Sequence, residues 1–140
     1  VDNAYALSYS LKSKFVKSIV LPSIEYRITD VTKIENNKFW AINYFFPGDS
    51  VSLKPSRDLL AQKFGEGESH FRSKRVERLI EFELKEGAFN HTKQAPVQLV
   101  LDGDKTSRKW EALSRYDNEG FLLATDKYPK TMLVFVPFKK

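Results

Sequence analysis

Cysteine is absent from this chain of 140 residues. Disulfide bonds, thiol catalysis and zinc sites with cysteine ligands are therefore excluded. No apolar run approaches the ~18 residues that a membrane-spanning helix needs, so no membrane span is predicted. No signal peptide is visible, and the chain begins at Val1 rather than at a methionine. We therefore expect that an upstream segment was removed or that the sequence is part of a longer protein.

A concentrated patch of one charge is also missing. The formal net charge is +5, a modest excess that is compatible with nucleic acid but does not require it. Proteins that bind nucleic acid more often gather their basic residues on one face, with exposed aromatic residues between them. Nucleic acid is therefore not the partner that we expect. The scattered basic residues include Lys12, Lys14 and Lys17, then Arg72, Lys74, Arg75 and Arg78, and finally Lys139 and Lys140.

Aromatic residues, in contrast, are abundant, with 11 phenylalanines and an aromatic fraction of 14%. Aromatic and β-branched side chains suit a pleated, half-buried surface, so the composition favours β-structure. Apolar and polar residues alternate along short segments that are separated by turn residues, which indicates an all-β fold of antiparallel strands. The predicted strands are 5–11, 15–21, 28–34, 39–45, 76–84, 95–101, 110–116, 121–125 and 131–138.

Residues 48–75 interrupt this pattern of short strands. A short helix is predicted from Arg57 to Phe64, with Ser56 as its cap and Gly65 at its end. A loop is expected to follow the helix and to contain His70. A connection of this length inside a β-domain is either a functional, lid-like loop or a tolerated surface insertion, and the sequence leaves both interpretations open.

An internal repeat organises the strands. Residues 28–47 and 110–129 align without gaps at a spacing of 82, and each unit reads as a strand, a turn and a second strand. The turn of the second unit ends at Gly120, which we expect to supply a positive φ. The matched positions include Val31 with Leu113, Ile34 with Tyr116, Asn36 with Asn118, Phe39 with Phe121 and Pro47 with Pro129.

The repeat predicts four-stranded blades of a β-propeller. We expect residues 1–140 to form a single propeller segment. In it, 5–21 end one blade, 28–101 form a full blade with an insertion at 48–75, and 110–138 form a last blade that lacks one strand. Closed propellers often complete such a blade with a strand from elsewhere, because closure removes free edges.

The sequence WEALSRYDNEGFLLATDKYP over 110–129, with LVFVP over 133–137, resembles the closing blade of bacterial six-bladed β-propellers. These form a phytase-like and esterase-like group in which a W-E-G-L-type strand and a G-F-L-L-x-T-D-K hairpin recur. Residues 28–30 and 39–43 resemble the preceding blade. The chain departs from the group in having Ala112 where glycine is common. It is also far shorter than the roughly 250 residues of six blades.

The short chain has two explanations. The favoured one is that the remaining blades belong to a longer chain of which this is the C-terminal piece, and the alternative is that identical copies assemble the ring. The resemblance also implies a periplasmic or extracellular location. No other feature of the sequence bears on the compartment.

The candidate site lies at the start of the two strands that open the repeat units. If these strands are the innermost of their blades, Thr29, Asp30 and Glu111 point towards the central channel. The resemblance implies that an acidic residue at the position of Glu111 binds metal or substrate. Asp30 and Glu111 suit Ca²⁺, which takes 6–8 oxygen ligands, so other blades have to contribute. The alternative is that Glu111 caps backbone donors or pairs with Arg115 or Lys109.

The two histidines, His70 and His91, are both expected in polar loops. His70 neighbours Glu66 and Glu68, so it is a second candidate for a ligand or metal site, although a solvated histidine is the favoured interpretation. No G-x-S-x-G sequence supports a serine hydrolase. The sequence predicts a binding or scaffold module with a small-molecule site at the channel mouth. A Ca²⁺-dependent, phytase-like or esterase-like hydrolase is the alternative.

Overall fold

Ten strands and two short helices make up the described part of the chain. The structure is a computed structural model, and it describes residues 4–48, 57–100, 108–126 and 130–138. None of the helices within these ranges has the length and hydropathy needed to cross a membrane. In chain order the elements are β1 (Tyr5–Tyr9), β2 (Val16–Val20), β3 (Arg27–Val31), β4 (Lys38–Phe45), α1 (Leu59–Phe64), α2 (Glu68–Ser73), β5 (Val76–Lys85), β6 (Ala88–His91), β7 (Val97–Gln98), β8 (Trp110–Tyr116), β9 (Gly120–Thr125) and β10 (Leu133–Pro137).

The mostly β-character predicted from the sequence is confirmed, and every predicted strand overlaps an observed one. The sequence interpretation missed β6, which pairs with β5 through a tight turn at Glu86 and Gly87. Both turn residues have positive φ, 53° and 77°, as a two-residue hairpin of this handedness requires. His91 therefore lies at the end of a strand, and the prediction that it lies in a loop is wrong.

The strands form two sheets. The large sheet has the order β1-β2-β6-β5-β4-β3, with β7 also paired to β5, and the small sheet has the order β10-β9-β8. All pairs are antiparallel except the one between Val20 on β2 and Ala88 on β6, which is parallel. The large sheet is thus mixed, in contrast to the expected purely antiparallel blades. The β1–β2 hairpin, expected at the end of a separate blade, joins the large sheet through this pair.

The large sheet is apolar on both faces, because alternate residues of β4 point to opposite sides. Trp40, Ile42 and Tyr44 pack with residues of the small sheet and form the main core. Phe39 and Ala41 pack on the opposite face with side chains from β5, β6 and the link between β2 and β3. Complete burial of one such side chain contributes about 1.5–3 kcal/mol. The two sheets therefore share one core, and a second cluster lies behind the large sheet.

The insertion contains two helices. The helix predicted over 57–64 is confirmed as α1, but it begins at Leu59, and Asp58 caps it by accepting a hydrogen bond of 3.0 Å from the Ala61 N–H. The predicted cap, Ser56, lies outside the described residues. The loop predicted after Gly65 is wrong beyond Gly67, because α2 begins at Glu68.

Gly120 is needed for space rather than for a positive φ. The positive φ of its turn belongs to Asp117, at 42°, so the prediction for Gly120 is wrong. A Cβ atom on Gly120 would collide with the carbonyl oxygen of Val136, and it would lie 2.9 Å from the Cα of Pro137. Any larger residue would therefore disturb the pairing of β9 with β10.

Candidate functional site

The two strands that carry the predicted site residues lie side by side. β3 is the edge of the large sheet, β8 is the edge of the small sheet, and the two strands contact each other. A side chain joins them, since Oδ2 of Asp30 accepts a hydrogen bond of 2.7 Å from the Leu113 N–H. We call this region the β3–β8 seam and define it by Thr29, Asp30, Glu111 and Leu113.

The β3–β4 and β8–β9 hairpins, whose first strands form the seam, have the same register. In the first, Ile28 pairs with Asn43 and Val31 pairs with Ala41. Adding 82 to each of these numbers gives the observed pairs of the second hairpin, which are Trp110 with Thr125 and Leu113 with Leu123. The spacing found in the sequence is therefore also the spacing of the backbone pairing.

Both hairpins contain an irregularity at the same place. The register of β3 shifts between Ile28 and Val31, and that of β8 shifts between Trp110 and Ala112. Such bulges insert one extra residue into a strand, redirect side chains and occur often beside active sites. Thr29 and Glu111, which are equivalent in the repeat, both lie at these shifts. The predicted site residues thus occupy the irregular positions of both strands.

Thr29 has an unsatisfied hydroxyl group. Its Oγ1 is buried and has no hydrogen-bond partner within the described part of the chain. Such groups are rare, because a buried donor or acceptor that loses water without a new partner costs about 1–3 kcal/mol. A ligand oxygen or a bound ion at the seam would satisfy this hydroxyl.

Glu111 is exposed, and it lies two residues before Leu113, whose N–H donates a hydrogen bond to Asp30. The expected alternative partner Arg115 is engaged elsewhere, with its Nη1 3.8 Å from Oε2 of Glu35 and its Nε donating to the carbonyl of Asp117. Carboxylate oxygens are among the ligands that Ca²⁺ prefers. Within the described ranges, no group of three or more histidine, cysteine or acidic residues is positioned to hold a metal.

His70 belongs to a different part of the molecule. It lies on α2, its Nε2 is 3.8 Å from Oε1 of Glu66, and its side chain is only 12% exposed. Its ring meets that of Tyr26 edge to face, with 6.2 Å between the centroids. The structure therefore brings Thr29 and Asp30 next to the strand of Glu111, whereas His70 lies in the insertion and packs against Tyr26.

A buried ionic network, which sequence reasoning missed, holds the insertion on the large sheet. The guanidinium of Arg78 donates two hydrogen bonds to Asp58, of 2.9 and 3.0 Å, and a third of 2.8 Å to Oδ1 of Asn43. The Arg78 side chain is only 1% exposed and that of Asp58 is 9% exposed. Because its partners lie 20 and 35 residues away, no local signal in the sequence identifies this network.

Tyr26 lies beside this network in an unusual backbone conformation. Its φ is 72°, which is rare for a residue with a bulky side chain. Its ring packs on that of Phe45 at 4.8 Å. Burial, with the nearby carboxylates of Asp58 and Glu25, raises the pKa of Tyr26 to about 12. The phenol therefore stays protonated and does not serve as a base near neutral pH.

A second buried ion pair connects the two sheets. Glu77 on β5 accepts hydrogen bonds of 3.1 and 2.8 Å from Arg108 and a third of 3.1 Å from the indole N–H of Trp110. All three residues are less than 5% exposed. Glu77 thus provides hydrogen-bond acceptors for the buried guanidinium of Arg108 and the buried indole N–H of Trp110. We therefore interpret this ion pair as structural.

The remaining histidine, His91, is also part of the packing. Its ring stacks on Phe82, with 4.9 Å between the centroids. Burial lowers the pKa of His91, and the positive charges of Arg78 and Lys63 lower it further. The ring is therefore neutral at neutral pH.

No family model, curated protein or solved structure matches the chain.

Proposed function

We propose that this chain is a β-propeller segment that serves as a binding or scaffold module, with its ligand site at the β3–β8 seam. The proposal joins the phytase-like and esterase-like resemblance of the sequence to the geometry of the two sheets. It assigns ligand contact to Thr29, Asp30 and Glu111.

The strand order supports the propeller part of this proposal. β3, β4 and β5 pair antiparallel in chain order, and β7 pairs antiparallel with β5 after the intervening β6, so these four strands have the pairing of a propeller blade. β8, β9 and β10 repeat the first three strands of that arrangement. In both units the first strand faces the seam, as innermost strands of adjacent blades do. The partner that follows from this arrangement is the remainder of a propeller, either in a longer chain or in identical copies.

One observation carries the binding part of the proposal, namely the matched irregularities of the two hairpins. Thr29 and Glu111 are equivalent in the repeat, and both lie where the register shifts. An irregularity retained in both units argues for a common role, because a bulge sacrifices regular pairing to redirect a side chain. The unsatisfied Thr29 hydroxyl adds a group that a ligand would complete.

The oxygen chemistry of the seam favours a hard cation, or a ligand bound through one. Hydroxyl and carboxylate oxygens come from Thr29, Asp30 and Glu111, although one oxygen of Asp30 already accepts the Leu113 N–H. These groups are fewer than the 6–8 oxygens of a Ca²⁺ site, so water molecules would complete the coordination in the single chain, and groups of the partner blades would replace some of them in a propeller. The Ca²⁺-dependent hydrolase remains a hypothesis that rests on the resemblance alone.

The test uses Ca²⁺ as the probe and thermal unfolding of the full chain as the readout. We expect Ca²⁺ to raise the melting temperature of the wild type, because an ion that binds only the folded state stabilises it by mass action. Glu111→Gln should remove most of this rise. The matched control Glu119→Gln changes an exposed glutamate in the adjacent turn and should keep it. A wild type that does not respond to Ca²⁺, or equal responses of the two variants, would reject the seam as a cation site.

A further inference from the structure

The β1–β2 hairpin projects from the large sheet. It pairs with the rest of that sheet between Val20 and Ala88, and Val20 lies at the end of β2 that is farthest from the turn. Every residue from 7 to 18 is exposed, so the outer part of the hairpin meets solvent on both of its sides. We call residues 10–17, which contain the turn, the hairpin tip.

The hairpin tip has a defined backbone conformation. The N–H of Ser10 donates a hydrogen bond of 2.9 Å to the carbonyl of Phe15, and the N–H of Lys14 donates one of 2.7 Å to the carbonyl of Ser10. The hydroxyl of Ser10 accepts a third, of 3.1 Å, from the N–H of Ser13. Because the turn is already ordered, its backbone loses little conformational entropy when the tip binds a partner.

Large apolar side chains lie at the outer end of the hairpin tip. Leu11 is 87% exposed, the highest value for a large apolar side chain among the described residues, and Phe15 is 66% exposed. Single exposed apolar residues are common on soluble proteins, but a group of them marks a surface that interacts. The consecutive residues Phe15 and Val16 are both exposed, so apolar surface faces more than one side of the tip. Such a projection suits insertion into an apolar medium better than contact with one flat partner.

Positive charge accompanies these apolar groups. The tip contains three exposed lysines, Lys12, Lys14 and Lys17. No acidic residue occurs between Ala4 and Ile24, so no carboxylate of the hairpin neutralises them. Lysine side chains lay their alkyl stems along apolar surface and keep their ammonium groups at its polar boundary. The tip therefore combines an apolar end with a ring of charge of one sign.

The surface of an anionic lipid bilayer matches both properties. Its acyl boundary accepts leucine and phenylalanine side chains, as it does for other interfacial segments. Its charge strengthens binding by about fivefold for each lysine near the surface. A single-stranded nucleic acid would satisfy the lysines, but its bases stack on aromatic rings and leave Leu11 without a partner.

We propose that the hairpin tip binds the surface of an anionic lipid bilayer. Leu11 and Phe15 insert among the acyl chains below the head groups, and the three lysines contact the lipid phosphates. The proposal does not rest on the ligand site at the β3–β8 seam. It is also compatible with the propeller, because blades pack through the faces of their sheets and leave the turns between strands at the ends of the ring.

The test uses vesicles of phosphatidylcholine that contain about 30% phosphatidylserine, and it measures sedimentation of the full chain with them. We expect the wild type to bind these vesicles at least about tenfold more tightly than vesicles of phosphatidylcholine alone. Leu11→Ser should weaken binding at least about tenfold, because it removes the burial of one leucine side chain. The matched control Leu133→Ser makes the same change at a leucine of β10 that is 74% exposed, and it should leave binding unchanged.

A second pair of variants tests the position of the charge. Lys12→Gln combined with Lys14→Gln should weaken binding to the anionic vesicles at least about tenfold. Lys33→Gln combined with Lys93→Gln lowers the net charge equally, at exposed positions outside the hairpin, and should weaken binding by less than about threefold. All four lysines are exposed, so both double variants should keep the fold, which circular dichroism checks.

Phe15→Trp reports whether the tip enters the acyl region. Its fluorescence should shift to the blue when vesicles are added, and lipids brominated on their acyl chains should quench it. Trp40 and Trp110 are buried, so their emission should stay constant in the wild type, which serves as the control.

Several outcomes would overturn the proposal. These are the absence of binding to anionic vesicles, equal binding by the two leucine variants, or no quenching of Phe15→Trp by the brominated lipids. If a single-stranded oligothymidylate binds the wild type more tightly than the anionic vesicles, nucleic acid is the partner and the bilayer proposal is wrong. If Leu11→Ser prevents self-association of the chain but leaves vesicle binding unchanged, the tip contacts a second copy, and the proposal is equally wrong.

Discussion

At the scale of single residues, Asp58 has two structural functions. Its carboxylate caps α1 and also neutralises the buried guanidinium of Arg78. Replacing it by alanine leaves a positive charge in the protein interior whose one remaining hydrogen-bond partner among the described residues is the amide oxygen of Asn43. We expect Asp58→Ala to lower the free energy of unfolding by about 3–5 kcal/mol, the usual cost of breaking a buried ion pair from one side. Urea denaturation measures this loss.

An exposed ion pair provides the control for this prediction. Glu68 and Arg72 are 2.7 Å apart on α2, but their side chains are 44% and 73% exposed. Water screens such a pair, so Glu68→Ala should change stability by no more than about 1 kcal/mol. Similar losses for the two variants would mean that Arg78 regains water when Asp58 is removed, and that its burial is not maintained by the fold.

The residues of the β3–β8 seam could be predicted from the sequence because the repeat places Thr29 and Glu111 at equivalent positions. The contact between strands β3 and β8 could not be predicted. The bond from Leu113 to Asp30 joins residues 83 apart, and it depends on how the two sheets pack. The Arg78 network has the same origin, since its geometry is set by β4, β5 and α1 together.

At the scale of elements, the turns of the two repeat units differ although their strands share a register. Asn36 and Asn37 form a two-residue turn in which both have positive φ, 51° and 62°. In the second unit three residues, 117–119, separate the strands, and only Asp117 has positive φ. The gapless alignment therefore predicted the strands well, but it could not reveal the different turn geometry.

This difference predicts opposite responses to glycine. In a two-residue turn with two positive φ values, glycine is the favoured second residue, since it has no Cβ to clash. We expect Asn37→Gly to raise the free energy of unfolding by up to about 1 kcal/mol, given that left-handed backbone costs other residues roughly 1–2 kcal/mol. The hydrogen bond from the Leu84 N–H to the carbonyl of residue 37 is kept, because it involves only backbone atoms. Thermal unfolding measures the gain.

The equivalent position in the second repeat unit is Glu119, whose φ is not positive. There glycine relieves no strain and only adds freedom to the unfolded chain, so Glu119→Gly should lower stability. If both substitutions stabilise the protein, the left-handed conformation of Asn37 is not the cause.

The elements that the sequence interpretation missed, β6 and α2, are also bounded by residues with positive φ, at Glu86, Gly87 and Lys74. Positive φ at Glu86 and Lys74 is a backbone feature that their residue types do not signal.

At the scale of the whole molecule, the large sheet is apolar on both faces, whereas the small sheet covers only one of them. The interpretation as adjacent blades accounts for this, because a blade inside a propeller is packed on both sides. The β1–β2 hairpin adds a further apolar surface. Tyr5, Leu7, Tyr9, Val16 and Val20 each expose more than half of their surface.

These exposed apolar residues lie on one face of the hairpin. The register of β1 and β2 puts the three residues of β1 on one side of the hairpin, opposite Val16, Ser18 and Val20. A contiguous exposed apolar face of this kind marks a surface that another sheet covers. Where the rest of a propeller is absent, we expect the chain to associate with itself through this face. Static light scattering should then show an average mass that rises with protein concentration.

A charge on this hairpin face should prevent the association. Leu7→Lys places an ammonium group in the centre of the face, opposite Ser18, and desolvating it would cost more than the contact gains. The mass of this variant should stay at that of one chain at concentrations where the wild type associates. Asn118→Lys adds the same charge to an exposed turn of the small sheet and should leave the association intact, which separates the effect of position from that of net charge. If the wild type remains a monomer throughout, or both lysine variants dissociate equally, the hairpin face is not the contact surface, and the expectation of a partner sheet there loses its support.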